Sequence, residues 1–488
     1  MLIAPRRRYP GSSRARRLLS SALVALACVT ASGVHDGLAA ERRDPFRTEA
    51  LRPAKPSQFW AGGGVPCAAQ PAVPDPLHLA DAIDLALCHN PQTRQSWASA
   101  KVQAAEVGVA RSAYLPDIGA NLSLQRSEIR NSPAEGGFTD LDASLSIDYL
   151  LFDFCGRAAN LALARESLLA ANWTHNNTLQ QVMLDATQGY YQLFATQEAV
   201  QSTLAAEKAS LASLEAARAR LKAGTATRAD VLQAQTAYSQ ARLDRTQAEG
   251  DAAAARGILA NALGLPADRE LRIAPPPDLE AQQVAERAVS ELIEAAQRLR
   301  PDLAAAQAQV RAAESNISVQ QSLTRPSISA FGTFGASQSS PGSDPRSGAV
   351  GLQLNIPLFT GYRNTYRVYQ AREQLETQTA SRDRLASDIT LDVWRAYQDL
   401  RTQRQSLDTS NDLVASAQEN YNVALARYKA GVGTITDLLN AQSALVSAEL
   451  QRIRARYQWN LAKATLAKAI GVLQPDLIGR QASPTYTR

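Results

Sequence analysis

Four cysteines, four histidines and two methionines are few for 488 residues, and aromatic residues make up only 6% of the chain. So few cysteines cannot staple a fold of this length, which excludes a disulfide-framework protein. The histidines His35, His78, His89 and His175 show no metal-ligand spacing, so no metal site is expected. His78 and His89 are expected on a helix surface. There is no Gly-rich phosphate loop and no nucleophile elbow, so no cofactor is expected and enzyme classes lose their sequence support. Beyond residue 40 no apolar run reaches the ~18 residues of a membrane-spanning helix.

What is present begins with an export signal. Arg6, Arg7, Arg8, Arg14, Arg16 and Arg17 precede an apolar run from Leu18 to Val29, and Gly37-Leu38-Ala39 offers a small-residue exit before Ala40 or Glu41. That order describes a secretory signal peptide over residues 1–40. A permanent anchor is the alternative, although the run is shorter than the ~20 residues a span needs. Cys28 adds a lipidation alternative, with Ala25 standing where a lipobox has leucine. A twin-arginine route at Arg6-Arg7-Arg8 lacks that motif's flanking residues. Removing the six arginines and Asp36 takes the formal net charge from +5 to about zero, so the basic bias leaves with the signal. A nucleic-acid partner therefore has no support. Export places the mature chain in an oxidising compartment, where Cys67 and Cys88 suit a disulfide clamping the N-terminal region. Cys155 is then left over and is expected as a buried, small apolar residue.

The rest of the chain repeats itself. Residues 41–76 are Pro-rich and contain Gly62-Gly63-Gly64, which reads as an extended lead-in with order beginning at Leu77. A helix broken at Asn90-Pro91 runs to Ala113. Strands of period two follow over 118–125 and 141–151, joined by a polar loop over 128–140. Arg157 to Lys222 is a breaker-poor stretch predicting one helix about 100 Å long. After a turn through Gly224 and Thr225, a helix returns from Arg228 to Leu263 and stops at Gly264-Leu265-Pro266. The first repeat thus covers 77–265, a crossover with Pro275-Pro276-Pro277 covers 266–283, and a second repeat covers 284–473 before a tail at 474–488. In the second repeat, strands recur around Ile328–Phe334 and Val350–Ile356 about a loop at 337–348. The long helix runs from Arg363 to Ala430, turns at Gly431-Val432-Gly433 and returns to Ile470-Gly471. A shift of 207 lays Arg220, Lys222, Gly224, Thr227, Asp230 and Gln235 on Arg427, Lys429, Gly431, Thr434, Asp437 and Gln442.

The pattern predicts a mainly α protein with a transmembrane β-barrel, each repeat giving one β-hairpin and long coiled-coil helices. Leu400, Leu407, Val414, Tyr421 and Tyr428 recur at strict sevens, a seam for left-handed supercoiling. Each long helix matches in length a pre-strand helix and a returning helix laid end to end. Four strands leave two open edges that lipid cannot tolerate, and membrane barrels start near eight strands, so several chains must share one barrel. Asp142, Ser144, Ser146, Asp148, Gln353 and Asn355 alternate with apolar residues and are expected to face a water-filled lumen. A soluble sandwich of four short strands and a cytoskeletal rod are the alternatives.

These residues resemble the TolC-type outer-membrane efflux and secretion family over about 77–473. The carriers are Leu77-His78-Leu79-Ala80-Asp81-Ala82-Ile83 leading to Asn90-Pro91, then Tyr114-Leu115-Pro116. Leu151-Phe152-Asp153-Phe154 with Gly156-Arg157, Pro357-Leu358-Phe359-Thr360-Gly361, and Tyr428 through Gly431 followed by Thr434 to Leu439 complete the set. The resemblance implies a homotrimer sharing a 12-strand outer-membrane barrel and a periplasmic tunnel of twelve helices. Gly224, Thr225, Gly431 and Gly433 would mark the tips, where a periplasmic adaptor and an inner-membrane transporter dock. The transporter would be an ABC exporter in type I protein secretion or a proton-driven pump in drug efflux, and the outer surface of the barrel would meet outer-membrane lipid. The chain is also similar overall to outer-membrane components of adenylate cyclase–haemolysin toxin exporters. Toxin secretion is accordingly the first expectation, a multidrug efflux duct carrying small molecules the second, and a soluble periplasmic coiled-coil adaptor the third. By position, the resemblance makes Asp437 a ring-forming gate carboxylate and Asp230 and Tyr428 partners in a closing network. Two positions depart from the family: Asn440 stands where a second acidic ring belongs, and Gly433 where a gate arginine belongs, unless Arg228 compensates. Asp230 and Asp437 are equally readable as helix N-terminal charges, favourable by ~0.3–1 kcal/mol.

Overall fold

The computed structural model describes residues 44–60, 62–67, 73–129, 136–276, 288–340 and 345–474. The signal peptide with Cys28, most of the crossover beyond Pro276 and the tail beyond Gln474 lie outside the described residues. Residues 44–49 form a separate unit, a turn in which the Asp44 carboxylate accepts from the Thr48 hydroxyl at 3.2 Å and the Glu49 amide at 2.8 Å.

In the second unit, helix α1 (Leu79–His89) and α2 (Pro91–Ser112) precede strands β1 (Asp117–Ile129) and β2 (Gly136–Phe152). Helix α3 (Gly156–Lys222) and α4 (Arg228–Ala262) complete the first repeat. The second repeat runs α5 (Val289–Leu299), α6 (Pro301–Ser322), β3 (Ser327–Ser340), β4 (Arg346–Asn355), α7 (Arg363–Lys429) and α8 (Ile435–Ile470). Both long helices hold 67 residues. That is about 100 Å at ~1.5 Å per residue. The partners laid along α3 hold 11, 22 and 35 residues, which match its length almost residue for residue.

The helix breaks follow from local chemistry. Asn90 ends α1 and caps α2 by accepting the Gln92 amide at 2.8 Å, with Pro91 at the first helical position, where its missing N–H costs nothing. The Asn90 amide also donates to the Ala262 carbonyl at 3.0 Å, tying the break to the end of α4. In the second repeat Arg300 occupies the same place and lies 3.5 Å from the Ala469 carbonyl. Gly264 and Gly471, at φ +71° and +85°, let the returning helices stop against these breaks.

The main core forms where α1 lies across the middle of α3. Leu79, Ile83 and Leu87 pack with Leu179, Met183, Tyr190 and Leu193 of α3 and Leu259 of α4. Each such burial is worth about 1.5–3 kcal/mol. The fully buried Tyr190 hydroxyl lies 2.9 Å from the Leu77 carbonyl and 2.7 Å from the Ala274 carbonyl, joining the chain as it enters and leaves the repeat. Burial pushes this phenol upward in pKa. On α7 the heptad positions Leu400 and Tyr428 are buried, with Leu407, Val414 and Tyr421 half-buried between them.

The structure corrects several expectations. Order begins before Leu77: Ser57 and Val65 are buried, and the lead-in is held on α3 by main-chain bonds to side chains described below. The strands run beyond their alternating segments, β1 to Ile129 and β2 from Gly136, because antiparallel pairing continues through the polar hairpin arms. The second hairpin likewise extends to Ser340 and back from Arg346. Cys155 is exposed, not buried. Phe154 and Cys155 both take left-handed backbone angles, φ 50° and 70°, in the turn from β2 into α3. It is Gly156 that goes inside, where a Cβ would meet the Ser322 hydroxyl at 2.6 Å.

Candidate functional site

Two surfaces carry the sequence-predicted residues, the sheet at one end of the helices and the two hairpin tips. The strands form one antiparallel sheet in the order β1-β2-β3-β4, which leaves β1 and β4 as edges within the chain. Its register sets the faces. Asp142, Ser144, Ser146 and Asp148 stand opposite Ser123, Asn121, Gly119 and Asp117 on β1, and opposite Ser337, Gly335, Thr333 and Phe331 on β3. Gln353 and Asn355 pair with Ser329 and Ser327, on that same face. The other face carries Leu122, Leu124, Leu145, Ile147, Phe334, Val350 and Leu352, all strongly exposed in the single chain. Period-two alternation puts these two chemistries on opposite faces. Arg157 anchors the sheet to α3 by donating to the Leu150 carbonyl at 2.6 Å and the Leu151 carbonyl at 3.0 Å.

At the far end, each long helix stops in the same way. Gly224 at φ +75° and Gly431 at +79° donate to the Leu221 and Tyr428 carbonyls, and the following Thr225 and Val432 amides donate to the Arg220 and Arg427 carbonyls. This is the Schellman arrangement, and glycine is needed for its left-handed angle, since nothing crowds either residue. Gly433 differs. Its amide also returns to the Arg427 carbonyl at 3.1 Å, and a Cβ there would lie 3.1 Å from both the Arg427 Cβ and the Tyr428 amide nitrogen. A side chain at the expected gate-arginine position would therefore press on the end of α7.

Asp230 and Asp437 sit third in α4 and α8, in matching capping boxes with Thr227 and Thr434. The Asp230 carboxylate accepts from the Thr227 amide at 2.8 Å and its hydroxyl at 2.9 Å. The Thr434 hydroxyl and amide, followed by Arg427, hold the exposed Asp437 carboxyl below the usual carboxylate range. Asn440 and Arg228 are exposed. Within the single chain Asp230 and Tyr428, both expected in a closing network, have different partners. Asp230 is engaged by its own cap, and Tyr428 instead meets Arg220, whose guanidinium carbon lies 4.2 Å from the ring centroid. The tips also touch through the Thr436 hydroxyl and Gln233 at 3.0 Å. Arg220 was invisible as a partner in the sequence, although its repeat match with Arg427 marked the position.

A third feature, the docking of the lead-in on α3, escaped sequence reading, whereas its disulfide was expected. Cys67 and Cys88 are disulfide-bonded, with Cα atoms 5.5 Å apart. The lead-in they secure is docked on buried polar residues of α3. Asn172 donates to the Leu51 carbonyl at 2.9 Å, and His175 Nε2 lies 3.2 Å from the Gln58 carbonyl. Asn176 accepts from the Trp60 amide at 2.7 Å and donates to its carbonyl at 3.2 Å. The run Asn172-Trp173-Thr174-His175-Asn176-Asn177-Thr178, with Asn172, His175 and Asn176 at helical spacing on one face, was the available signal. Burial lowers the His175 pKa to about 4, so the ring is neutral near pH 7. Among the described residues no group of His, Cys, Asp or Glu could hold a metal ion. No described helix is long and apolar enough to cross a membrane.

The family described as "Outer membrane efflux protein" matches residues 82–265 and 292–472. The chain belongs to the outer membrane efflux protein family. Its two matched segments coincide with the two structural repeats. Protein CyaE of Bordetella pertussis is 32% identical over 431 residues, covering 86% of this chain and 90% of that protein. The outer membrane efflux protein BepC of Brucella suis is 26% identical over 409 residues, covering 83% and 87%. The crystal structure of the outer membrane protein VceC from Vibrio cholerae superposes with a TM-score of 0.69 at 20% identity, covering 80% of this chain and 96% of that one, which speaks for the fold. As a member of this efflux family the chain is a transport protein of the outer membrane with a periplasmic extension, not an enzyme.

Proposed function

We propose that three copies of this chain form a continuous duct through which substrate passes from an inner-membrane transporter and its periplasmic adaptor to the outside. The observation that carries this reading is the sheet: four strands, two unpaired edges, one polar face and one apolar face, at the end of helices about 100 Å long. Open edges are not tolerated in lipid, and three four-stranded sheets would close a barrel of 12 strands. In that barrel the Asp142–Asp148 face lines water and the Leu145–Val350 face meets lipid. The helices continue the duct into the periplasm, and the tips around Gly224 and Gly431 are its entrance. Asp437, Asp230 and Arg228 contribute the charge there and Asn440 a neutral amide, and three copies of Asp437 about one axis would favour cations.

Type I secretion of a protein toxin, with an ABC exporter as the inner-membrane partner, is the favoured branch. It is supported by the resemblance to toxin-exporter ducts and by the 32% likeness to Protein CyaE over nearly the whole chain. A drug-efflux duct served by a proton-driven pump is the second branch, favoured by the likeness to the efflux protein BepC. Deleting the gene separates them. Loss of a secreted protein from the medium with unchanged dye retention is expected. Normal secretion with accumulated dye would exclude the first branch. Recovery in a detergent-free extract would exclude both.

A further inference from the structure

Far from both tips, α2, α3 and α6 enclose an open groove of about 720 Å³. Its lining is four glutamines, three serines, two threonines and two alanines, with no charged, aromatic or large aliphatic side chain. Gln92, Gln95 and Gln103 come from α2 and Gln309 from α6, and each amide offers two N–H donors and a carbonyl acceptor. On α3, the Thr174 and Thr178 hydroxyls donate to the Ala170 and Thr174 carbonyls of their own helix at 2.9 and 3.0 Å, which leaves their oxygens as acceptors.

The groove opens on a different face of α3 from the one already covered. Helix α3 carries the lead-in through Asn172, His175 and Asn176, and α1 through Leu179 and Met183. In a trimeric duct, three copies of that load on the axis would obstruct passage. The covered face is therefore the outer one, and the groove lies on the inner wall. The second repeat does not reproduce the row of amides. Laying Pro301 on Pro91 replaces Gln92, Gln95 and Gln103 with Asp302, Ala305 and Ala313, and Arg300 Nη2 engages the Asp302 carboxylate at 2.6 Å.

Neutral amides and hydroxyls hold no charge of either sign, and two alanines give none of the apolar surface that drug-sized molecules need. They do match the alternating donors and acceptors of an extended main chain. From Gln92 to Gln103 the row runs about 16 Å at ~1.5 Å per residue, the length of roughly five residues of extended chain. We propose that this groove is a seat for extended polypeptide on the inner wall of the duct, binding the main chain whatever side chains it carries. The proposal rests on the duct reading and deepens its protein-secretion branch.

Single-channel recording in planar bilayers tests it with two neutral, unstructured probes. One is a Gly-Ser peptide; the other is polysarcosine of equal length, whose methylated main chain has no N–H. The peptide is expected to block the unsubstituted duct roughly ten-fold longer than polysarcosine, the factor that one or two net hydrogen bonds produce. The triple variant Gln92→Ala, Gln95→Ala, Gln103→Ala keeps helix propensity and should bring the two dwell times together. Gln95→Glu with Gln103→Glu should lengthen blockades by a Lys-containing peptide and shorten those by a Glu-containing one. The same ten-fold difference in the alanine variant overturns the seat. An apolar dye or a dextrin whose blockade the alanine variant shortens, while the peptide's is unmoved, assigns the groove to that ligand and overturns it too. Anisotropy of the labelled peptide on detergent-purified protein separates the two readings. Binding that is lost in the alanine variant of a protein that never conducts overturns the duct and leaves the polypeptide site standing.

Discussion

Helices α3 and α7 have the same length and equivalent places in the two repeats, yet 22 residues of α3 are buried against nine of α7. The difference lies in their neighbours. Helix α3 runs between α2 and α4 on one side and α6 and α8 on the other, with α1 across its middle. Along most of its length helix α7 has α5, α6 and α8 as neighbours, meeting α3 through Tyr428 in its last turn, and it exposes Leu391, Trp394, Leu413 and Val423. The opposite flank of the chain exposes Val102, Val109, Leu232, Leu243 and Ile258 on α2 and α4. In the proposed trimer the bare flank of α7 meets that flank of the next copy. Helix α3 is thus the finished joint within a subunit, and α7 half of a joint between subunits. The lead-in sharpens the contrast, because the positions of Asn172, His175 and Asn176 on α3 become Thr379, Arg382 and Asp383 on α7.

Substitutions at matched positions test this asymmetry. The largest effect is expected at the glycine stops. A Cβ on Gly264 would lie 2.4 Å from the His89 carbonyl oxygen, whereas on Gly471 it would lie 2.9 Å from the Leu299 carbonyl. Both glycines also have left-handed angles. Gly264→Ala should lose about 4 kcal/mol and Gly471→Ala less, about 2–3 kcal/mol, in denaturant unfolding of the purified protein. Equal losses would mean the two stops are equally tight.

Next is the disulfide, which joins the lead-in to the first repeat and has no counterpart in the cysteine-free second repeat. Replacing Cys67 and Cys88 with serine should cost about 3 kcal/mol. Reductant should lower the melting temperature of the unsubstituted protein and leave the double variant unmoved.

His175 gives a pH signature of similar size. Its ring binds a proton below about pH 6.5 when unfolded but only below about 4 when folded. The unfolded chain therefore holds more protons between these values. Stability is complete above pH 6.5 and falls as the pH drops toward 4, by up to about 3 kcal/mol. In His175→Gln the slope of unfolding free energy across this window should flatten; an unchanged slope would remove His175 as its source.

The smallest effects are expected at the tips. Thr227→Ala and Thr434→Ala each remove one capping box and should cost about 1 kcal/mol apiece, equally in both repeats. A clear inequality in unfolding would show that one cap does more than end a helix.

Much of what is local in this protein was legible in the sequence. The Asn90-Pro91 break, the breaker-poor helix spans and the glycine turns depend on residues within a few positions of each other, and the 207-residue repeat shows on laying one half of the chain on the other. Period-two alternation likewise fixed which strand residues share a face. What only the tertiary structure decided are contacts between residues far apart in the chain. Arg220 meets Tyr428 across 208 positions. Asn172 and His175 read as ordinary positions of a long helix until the lead-in lies on them. Cys155 reads as an apolar residue until a left-handed turn puts Gly156 inside in its place. Tyr190 reads as core, and nothing local tells that its hydroxyl joins Leu77 to Ala274. Backbone propensity and capping act within a turn or two of helix, whereas a buried polar group takes whichever partner the packing delivers.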